Sequence, residues 1–523
     1  MVGSKTTVDI TTLSGDELNG VLRVLYSQIS AIKAQFNTRC PIGRLFPEIL
    51  SAIFQAIVDD WSLTIEGMEN GDHIPYDWLV ITHVCSYWRN VAIETSTLWS
   101  HIVLHKDKLI KLMLKRSRRA ALSLYCWDDL SLDPDLARQR RIFDFISPHL
   151  PRVERMQIVS LWLDLLPPHS FPHLLFAHHL PSIRFISLKD VGGYAFYRLP
   201  DIENWAKQKR ISPKSYRFEN LSAYTAEALV GSSLLHLSMT RMAGLDLLFF
   251  VSILVKCPQL ESLVCVSSDF IHFESDGYFP TLVTATLPQL RFLKLELGAD
   301  LEALSTLLQH ISHPTATSVY LACSALPSSA NYYVEENTGN YLRNIIPKNI
   351  TDLTIEANFH DLVVSSVDFA LRLRIIVPRE SQSPLISCLL SYAVPKTLCH
   401  LGFEAGLDSF GRDVWKRTQV YKAIQKNAPN LQWMILPSIY HLTNLLLYPI
   451  NDENPTSARS IPFPKLRKLW IDKMGKEEIL TLYNVLQTRR RWGNVLDKVY
   501  MPYPQDTCMY DAIARYTQVV FIS

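Results

Sequence analysis

Residues 258–265 read PQLESLVC and residues 288–295 read PQLRFLKL. Both follow the pattern Pro-x-φ-x-x-φ-x-φ, in which φ is an apolar residue. The alternation at the end predicts a strand with one apolar face. The proline precedes the strand, where no backbone N–H is needed for pairing. The pattern therefore predicts a repeated strand that buries one of its two faces.

The same pattern recurs along most of the chain. Copies with the leading proline begin at Pro151, Pro181, Pro429 and Pro464; looser copies follow Pro347 and Pro395, a poor one follows Pro314, and Leu234, Leu237 and Met239 form one without proline.

Helical patterns separate the strands, at residues 245–256, 301–311, 414–427 and 477–489. Strand followed by helix, with a period of roughly 25–35 residues, is typical of a leucine-rich-repeat solenoid. The asparagine of regular repeats is mostly missing, so we expect irregular curvature. A doubly wound sheet lacks support, because no glycine-rich phosphate loop follows a strand.

Composition limits the classes of function. The chain has 523 residues, 48% hydrophobic and 20% charged, with a net charge of +2. These values indicate a folded protein with several domains or a repeat array. So little excess charge gives no strong reason to bind nucleic acid or a membrane surface. We therefore expect neither as a partner.

Targeting and redox signals favour an intracellular protein. No apolar signal-peptide core occurs at the start, and the apolar stretch 242–255 is interrupted by Asp246. The nine cysteines are scattered without a CxxC pair. That pattern suits reduced thiols in the cytoplasm or nucleus.

An N-terminal helix carries a heptad seam. Its apolar residues are spaced by four, three, four, three and four positions, which predicts a seam along one helix face. The seam is short, so two interpretations stay open: packing on the helix's own domain, or a short dimeric coiled coil. Its members are Leu18, Leu22, Leu25, Ile29, Ile32 and Phe36.

Two further helices are predicted after this one. Pro47 opens the first, whose apolar face runs to Ile57. The polar stretch 59–77, with three glycine or proline residues, predicts a loop. A second helix is predicted over 78–93, and a segment around Leu98, Trp99 and Ile102 closes the unit.

These residues resemble a known family. PIGRLFPEIL at 41–50, followed by Ile53 and Phe54, resembles the first half of an F-box, and HVCSYWRNVA at 83–92 with Leu98-Trp99 resembles its second half. The heptad lead-in and the continuation through 114–124 are similar to F-box-like proteins of mushroom-forming fungi. Phe46 departs from the pattern, since many relatives have proline there.

The resemblance implies a Skp-type adaptor as partner and, through it, a cullin. A helical unit of about 50 residues buries little apolar area alone, so completing its core on a partner is physically reasonable. The alternative for the contact residues is packing inside the helical unit. The adaptor-contact residues that the resemblance implies are Leu45, Pro47, Ile49, Leu50, Ile53 and Phe54; the core residues that it implies are Val84, Cys85, Trp88, Leu98 and Trp99.

Catalytic and metal signals are missing. His101 and His105 are four apart, but the alternating apolar residues between them predict a strand, and His178-His179 has no third ligand. The basic cluster between Lys108 and Arg119 is interpreted as a solvated helix face, and residues 489–491 as a basic helix end. No catalytic motif occurs, so we expect no enzyme, no cofactor and no metal.

The sequence predicts an α+β or α/β repeat protein. Its parts are a flexible lead (1–15), a heptad helix (16–40), an F-box-like domain (41–104), a connecting segment (105–145), a leucine-rich-repeat solenoid (146–505) and a C-terminal cap (506–523). The predicted function is substrate recognition for a cullin-RING (SCF-type) ubiquitin ligase, with an unknown target held by the repeats. The alternative is a leucine-rich-repeat scaffold without a ligase role.

Overall fold

A computed structural model defines the fold, and two compact units divide the chain, Met1–Ser187 and Leu188–Ser523. Each unit is described by itself. The described residues are 14–68, 76–127, 136–160, 178, 180–190, 212–267, 284–324, 335–357, 361–367, 371–376, 385–386, 388–394, 396–403, 424–425, 427–438, 446, 463–474, 476–502 and 507–522.

The first unit begins with helices and ends with strands. Its helices are α1 (Gly15–Arg39), α2 (Pro47–Gly67), α3 (Ile81–Val84), α4 (Ser86–Glu94), α5 (Asp107–Arg116) and α6 (Leu136–Ile146), with 3₁₀ turns at Pro41–Arg44, Asp77–Val80, Ser96–Trp99 and Ser147–Arg152. Its strands are β1 (His101–Val103), β2 (Leu122–Trp127) and β3 (Val153–Ser160), and β4 (Phe185–Asp190) crosses the unit boundary.

Helix α2 is longer than its sequence pattern predicts. Pro47 occupies its first turn, where a missing N–H costs nothing. The buried face continues past Phe54 through Val58, Trp61 and Ile65. Residues 59–67 are therefore helical, and the prediction of a loop from Asp59 is wrong there. The apolar residues at helical spacing outweigh the polar neighbours that signalled a loop.

The predicted helix over 78–93 is broken in two. Cys85 lies between α3 and α4 in an extended conformation, with φ −157° and ψ 171°. Its sulfur accepts the Trp88 N–H at 3.5 Å, in the manner of an N-cap. The prediction of one continuous helix is therefore wrong, because the Cys85 backbone ends one helix and its side chain starts the next.

Aromatic rings build the core of this helical region. Trp78 and Trp99 are fully buried and meet edge to face with centroids 5.1 Å apart. Trp61 contacts Trp78 at 6.2 Å, and Phe54 contacts Trp88 at 5.1 Å. The Trp99 indole N–H donates to the Ala92 carbonyl at 2.7 Å, so its polar atom is satisfied. These rings hold α2, α4 and the 3₁₀ turns together.

The strands of the first unit pair in parallel, with α5 and α6 between them in the chain. Strand β2 pairs in parallel with β1 and with β3. Residues His101–Val103 form β1, so the strand predicted between His101 and His105 is confirmed over its first three residues. The segment 105–145, predicted as a connection, contributes α5, β2 and α6 to the unit.

The second unit is a mostly parallel sheet with helices between strands. Its helices are α7 (Ala223–Leu229), α8 (Leu247–Val255), α9 (Leu301–Gln309), α10 (Glu335–Ile345), α11 (Lys476–Arg491) and α12 (Thr507–Ala514). Its strands are β5 (Ser215–Glu219), β6 (His236–Thr240), β7 (Ser262–Ser267), β8 (Ala285–Thr286), β9 (Phe292–Asp300), β10 (Ile311–Ser312), β11 (Ser318–Ser324), β12 (Asp352–Ala357), β13 (Asp361–Ser366), β14 (Leu371–Ile376), β15 (His400–Phe403), β16 (Trp433–Ser438), β17 (Lys468–Lys473), β18 (Lys498–Pro502) and β19 (Gln518–Ile522).

The strands of the second unit pair side by side, in parallel except at β13. Strands β5, β6, β7, β9, β11 and β14 pair in parallel, in that order. Strand β13 then pairs antiparallel with β14 and with β12. From β12 the parallel order resumes through β15, β16, β17, β18 and β19.

The apolar positions of the repeat pattern form a buried row across this sheet. Register partners Leu263, Leu293 and Val319 lie on neighbouring strands, and Leu401, Met434, Leu469 and Val499 continue the row further along. Most of these side chains have no exposed surface. The predicted one-sided strand is thus present, because side chains alternate between the two faces of a strand.

Three features differ from the predicted organisation or lie outside it. Strands β13 and β14 carry no repeat pattern and insert an antiparallel meander. The region predicted as a C-terminal cap supplies β19, which extends the parallel sheet. The helix predicted over 414–427 lies mostly outside the described residues.

Two neighbouring residues on β9 test the one-sided burial. Leu293 is fully buried and Phe292 is 39% exposed. We expect Leu293→Ala to lower the free energy of unfolding by about 2–5 kcal/mol, since it leaves a cavity. Phe292→Ala serves as the control and has a clearly smaller effect. Guanidinium unfolding of both variants measures the difference, and equal losses would contradict the assignment of faces.

Candidate partner-binding surface

Helix α2 has a second apolar face that its own unit leaves open. Ile49, Ile53 and Ile57 are 47%, 40% and 41% exposed. They are four residues apart and form one row along the helix. The buried row of Leu50, Phe54 and Val58 lies one residue further round, which is about 100° on a helix with 3.6 residues per turn. Two apolar rows therefore lie side by side, one buried and one exposed.

The segment that leads into α2 extends this open row. Phe46, the residue before the first turn, is 70% exposed, and Ile42 in the preceding 3₁₀ turn is 48% exposed. We call Ile42, Phe46, Ile49, Ile53 and Ile57 the α2 apolar surface. Contiguous exposed apolar side chains of this kind mark binding sites more often than scattered ones do.

A hydrogen bond between helices holds this segment. The Tyr87 hydroxyl, on α4, donates to the Leu45 carbonyl at 2.7 Å. Ser51 on α2 also shares a hydrogen bond with Thr95 at 2.8 Å. The backbone around the α2 apolar surface is therefore fixed by the second half of the helical region before any partner binds.

The residues predicted to contact an adaptor fall into two groups. Pro47, Ile49 and Ile53 are exposed, and Leu45 is half-buried. Leu50 and Phe54 have no exposed surface. The prediction that these two contact a partner is therefore wrong, because their side chains fill the core against α4 and the 3₁₀ turns. Ile42, Phe46 and Ile57 take their place in the exposed row. The i, i+4, i+8 spacing of Ile49, Ile53 and Ile57 was the sequence signal for the last of these.

The predicted core residues also divide. Leu98 and Trp99 are fully buried, and Trp88 is half-buried against Phe54. Val84 is 53% exposed, so the prediction that it lies in the core is wrong. It ends α3 at the break, and the short helix turns its side chain outward. Cys85 is half-buried and acts as the cap of α4.

Helix α1 leaves its heptad seam exposed. Ser14 and Glu17 form a capping box at its start, which stabilises the helix end. Leu22, Leu25 and Ile29 are 46%, 46% and 47% exposed, and Ile32 and Phe36 are more exposed still. The interpretation of the seam as packed on its own domain is therefore wrong. Dimerisation through the seam stays a prediction.

The described residues around the α2 apolar surface are not grouped as metal ligands. Within the described ranges, no group of three or more His, Cys, Asp or Glu side chains is placed to hold a metal ion. No described helix is both long and apolar enough to cross a membrane.

His101 is a structural residue. Its Nδ1 lies 3.1 Å from the Tyr125 hydroxyl. Burial lowers the pKa of His101 from 6.5 to about 4, and the Arg155 charge adds to this, while Asp59 opposes it. The imidazole is therefore neutral at physiological pH.

This shift predicts a pH dependence of stability. The unfolded chain binds a proton at His101 near pH 6.5, whereas the folded chain does so only near pH 4. The contribution of the neutral His101 to the free energy of unfolding is therefore fully present above pH 6.5. It falls as the pH is lowered towards 4, by up to about 3 kcal/mol. We expect His101→Gln to remove this part of the slope in urea unfolding measured from pH 7 to 4. Identical slopes for both proteins would contradict it.

Comparisons with known proteins give a likeness to a solved structure but no match by sequence. No family model matches the chain, and no curated protein matches it. Among solved structures, the chain is similar to one in the crystal structure of the Rad7 and Elc1 complex in yeast. The TM-score is 0.29 and the identity 12%, over 89% of this chain and 96% of that one.

Proposed function

We propose that the chain is the substrate-recognition subunit of an SCF-type ubiquitin ligase. The first unit docks on a Skp-type adaptor that is bound to a cullin, and the sheet of the second unit, interpreted as an irregular leucine-rich-repeat solenoid, holds a target protein. The chain itself performs no catalysis in this proposal. It works inside the cell, in the cytoplasm or nucleus.

The α2 apolar surface carries this proposal. It lies in the segment whose residues resemble the first half of an F-box. The Tyr87 hydroxyl, from the second half, donates to the Leu45 carbonyl just before α2. Five large apolar side chains between 40% and 70% exposed are costly to leave in water. A partner that covers them gains the apolar burial that the unit itself cannot complete.

The chemical contribution of such a subunit is proximity. Holding target and ubiquitin-loaded enzyme in one assembly raises the effective concentration of target lysines near the thioester. The subunit therefore needs two binding surfaces and no catalytic group. The α2 apolar surface in the first unit supplies one of them.

The second candidate is a leucine-rich-repeat scaffold without a ligase role. Phe46 favours it, because it replaces the proline of many F-boxes and is the most exposed member of the α2 apolar surface, at 70%. In that case the same surface binds a different protein. Adaptor binding separates the two candidates.

We expect the full chain to co-purify with a Skp-type adaptor. Ile49→Asp and Ile53→Asp each place a charge in the centre of the contact, so each weakens binding at least tenfold, as expected for central hot spots. Isothermal titration with the purified adaptor measures the affinities.

Leu63→Asp is the matched control. Leu63 lies on the same helix and is 66% exposed, but it is outside the open row. It should leave the affinity unchanged. Absence of adaptor binding by the folded wild type would overturn the ligase proposal and leave the scaffold. Equal loss in the control variant would show that the α2 apolar surface is not the contact.

A further inference from the structure

Aromatic and basic side chains gather on the outward face of β15 to β18. His400, Trp433, Lys468 and Lys498 are register partners on these strands. Trp470 and Tyr500 are partners in the row two residues further along. These six residues are half-buried or exposed, whereas the alternate positions are buried. We call them the aromatic–basic surface.

Ring contacts order this surface. Trp470 and Tyr500 stack with centroids 5.2 Å apart and planes 20° apart. His400 meets Trp433 edge to face at 5.4 Å, and the Lys468 ammonium lies 5.7 Å from the centre of the Trp433 ring. The Trp470 indole N–H donates to Asp472 at 2.6 Å, which fixes the ring. The surface is therefore rigid before a ligand binds.

The outward face carries different side chains on β9, β11 and β14. Register partners continue it without a break from Tyr500 through Thr354 and Arg372 to Lys294. There, charges are neutralised internally: Lys294 pairs with Glu296 at 3.1 Å, and Arg374 with Asp361 at 2.6 Å. Two of the basic side chains in that half therefore already have carboxylate partners.

The two lysines of the aromatic–basic surface have no such partner. Among the described residues, no carboxylate lies within ion-pair distance of Lys468 or Lys498. They occupy register positions on adjacent strands, which are about 4.8 Å apart. The Lys468 ammonium lies against the Trp433 ring, and Lys498 is on the strand at its other side, so an anion bound beside this pair of strands is attracted by two positive charges. The half-exposed rings beside them offer apolar contact area.

We propose that the aromatic–basic surface binds a target segment in which an acidic side chain neighbours an aromatic or large aliphatic one. The carboxylate would sit between Lys468 and Lys498, and the apolar side chain against Trp433, Trp470 and Tyr500. That this segment belongs to a degradation target rests on the proposed function; the binding itself does not.

A protein segment fits this surface better than single-stranded nucleic acid. Nucleic acid binding combines stacking rings with a continuous track of cations along the backbone. Here, Asp472 lies beside Trp470, and the whole chain carries a net charge of only +2. A short acidic and apolar segment matches one pair of cations beside a group of rings.

The test is a selection of peptides from a random 12-residue display library on the purified full chain. We expect enrichment of Asp or Glu next to Phe, Tyr, Trp or Leu. Fluorescence anisotropy with the enriched peptide then gives the affinity of each variant. A single-stranded oligothymidine of 20 nucleotides is measured in parallel.

The decisive variant is the double charge reversal Lys468→Glu, Lys498→Glu. It should weaken binding of the selected peptide at least tenfold. A new peptide selection on this variant should enrich basic peptides instead. Trp470→Ala should weaken binding of the same peptide, and a new selection on this variant should still enrich acidic peptides. The control is Lys214→Glu, Lys348→Glu, which changes the net charge equally at exposed positions of the same unit and should keep the affinity.

Three results would overturn the proposal: no acidic enrichment, an unchanged affinity in the Lys468 and Lys498 variant, or tighter binding of the oligothymidine that this variant abolishes. Adaptor binding is measured on the same variants. It should survive in all of them, so failure of this inference and failure of the ligase proposal are told apart.

Discussion

The alternation of side chains along the strands of the second unit is the constraint from which the rest of that unit follows. Each repeat strand buries one face, and the register partners of the apolar positions form a continuous row across neighbouring strands. No single strand could bury its apolar face alone, so the strands are stable only together. The same alternation leaves the opposite face outward at every second residue, where charge pairs occur in one half and rings with lysines in the other.

In the first unit, the burial of apolar side chains depends on a helix. Helix α2 carries two apolar rows about 100° apart. One row packs with Trp78, Trp88 and Trp99 into an aromatic core, and the other stays in water. The helical region around α2, taken alone, is small and gains limited apolar burial by itself. The open row is consistent with a domain that completes its burial on another protein, and α1, with its exposed seam, has the same property.

Both candidate surfaces are thus consequences of how the apolar side chains pack. The α2 apolar surface is apolar and uncharged, which suits a permanent or strong protein contact. The aromatic–basic surface combines rings with uncompensated positive charge, which suits recognition of a chemically defined segment. A bridging protein needs two surfaces of different chemistry, since each must reject the partner of the other.

The sequence by itself determined the repeat strands, the location of the helical region and the apolar character of α2, because these depend on local periodicity. Residues Leu98 and Trp99, and strand β1 after His101, also follow from local pattern. The tertiary structure alone decided which apolar row of α2 is buried, since Leu50 and Ile49 are both apolar and differ only in what packs against them. It likewise decided that Val84 faces outward at a break, and that Trp433, Trp470 and Tyr500, from three separate strands, share one face. The local pattern assigns each residue to one face of its strand, but which strands become neighbours depends on pairing between distant segments.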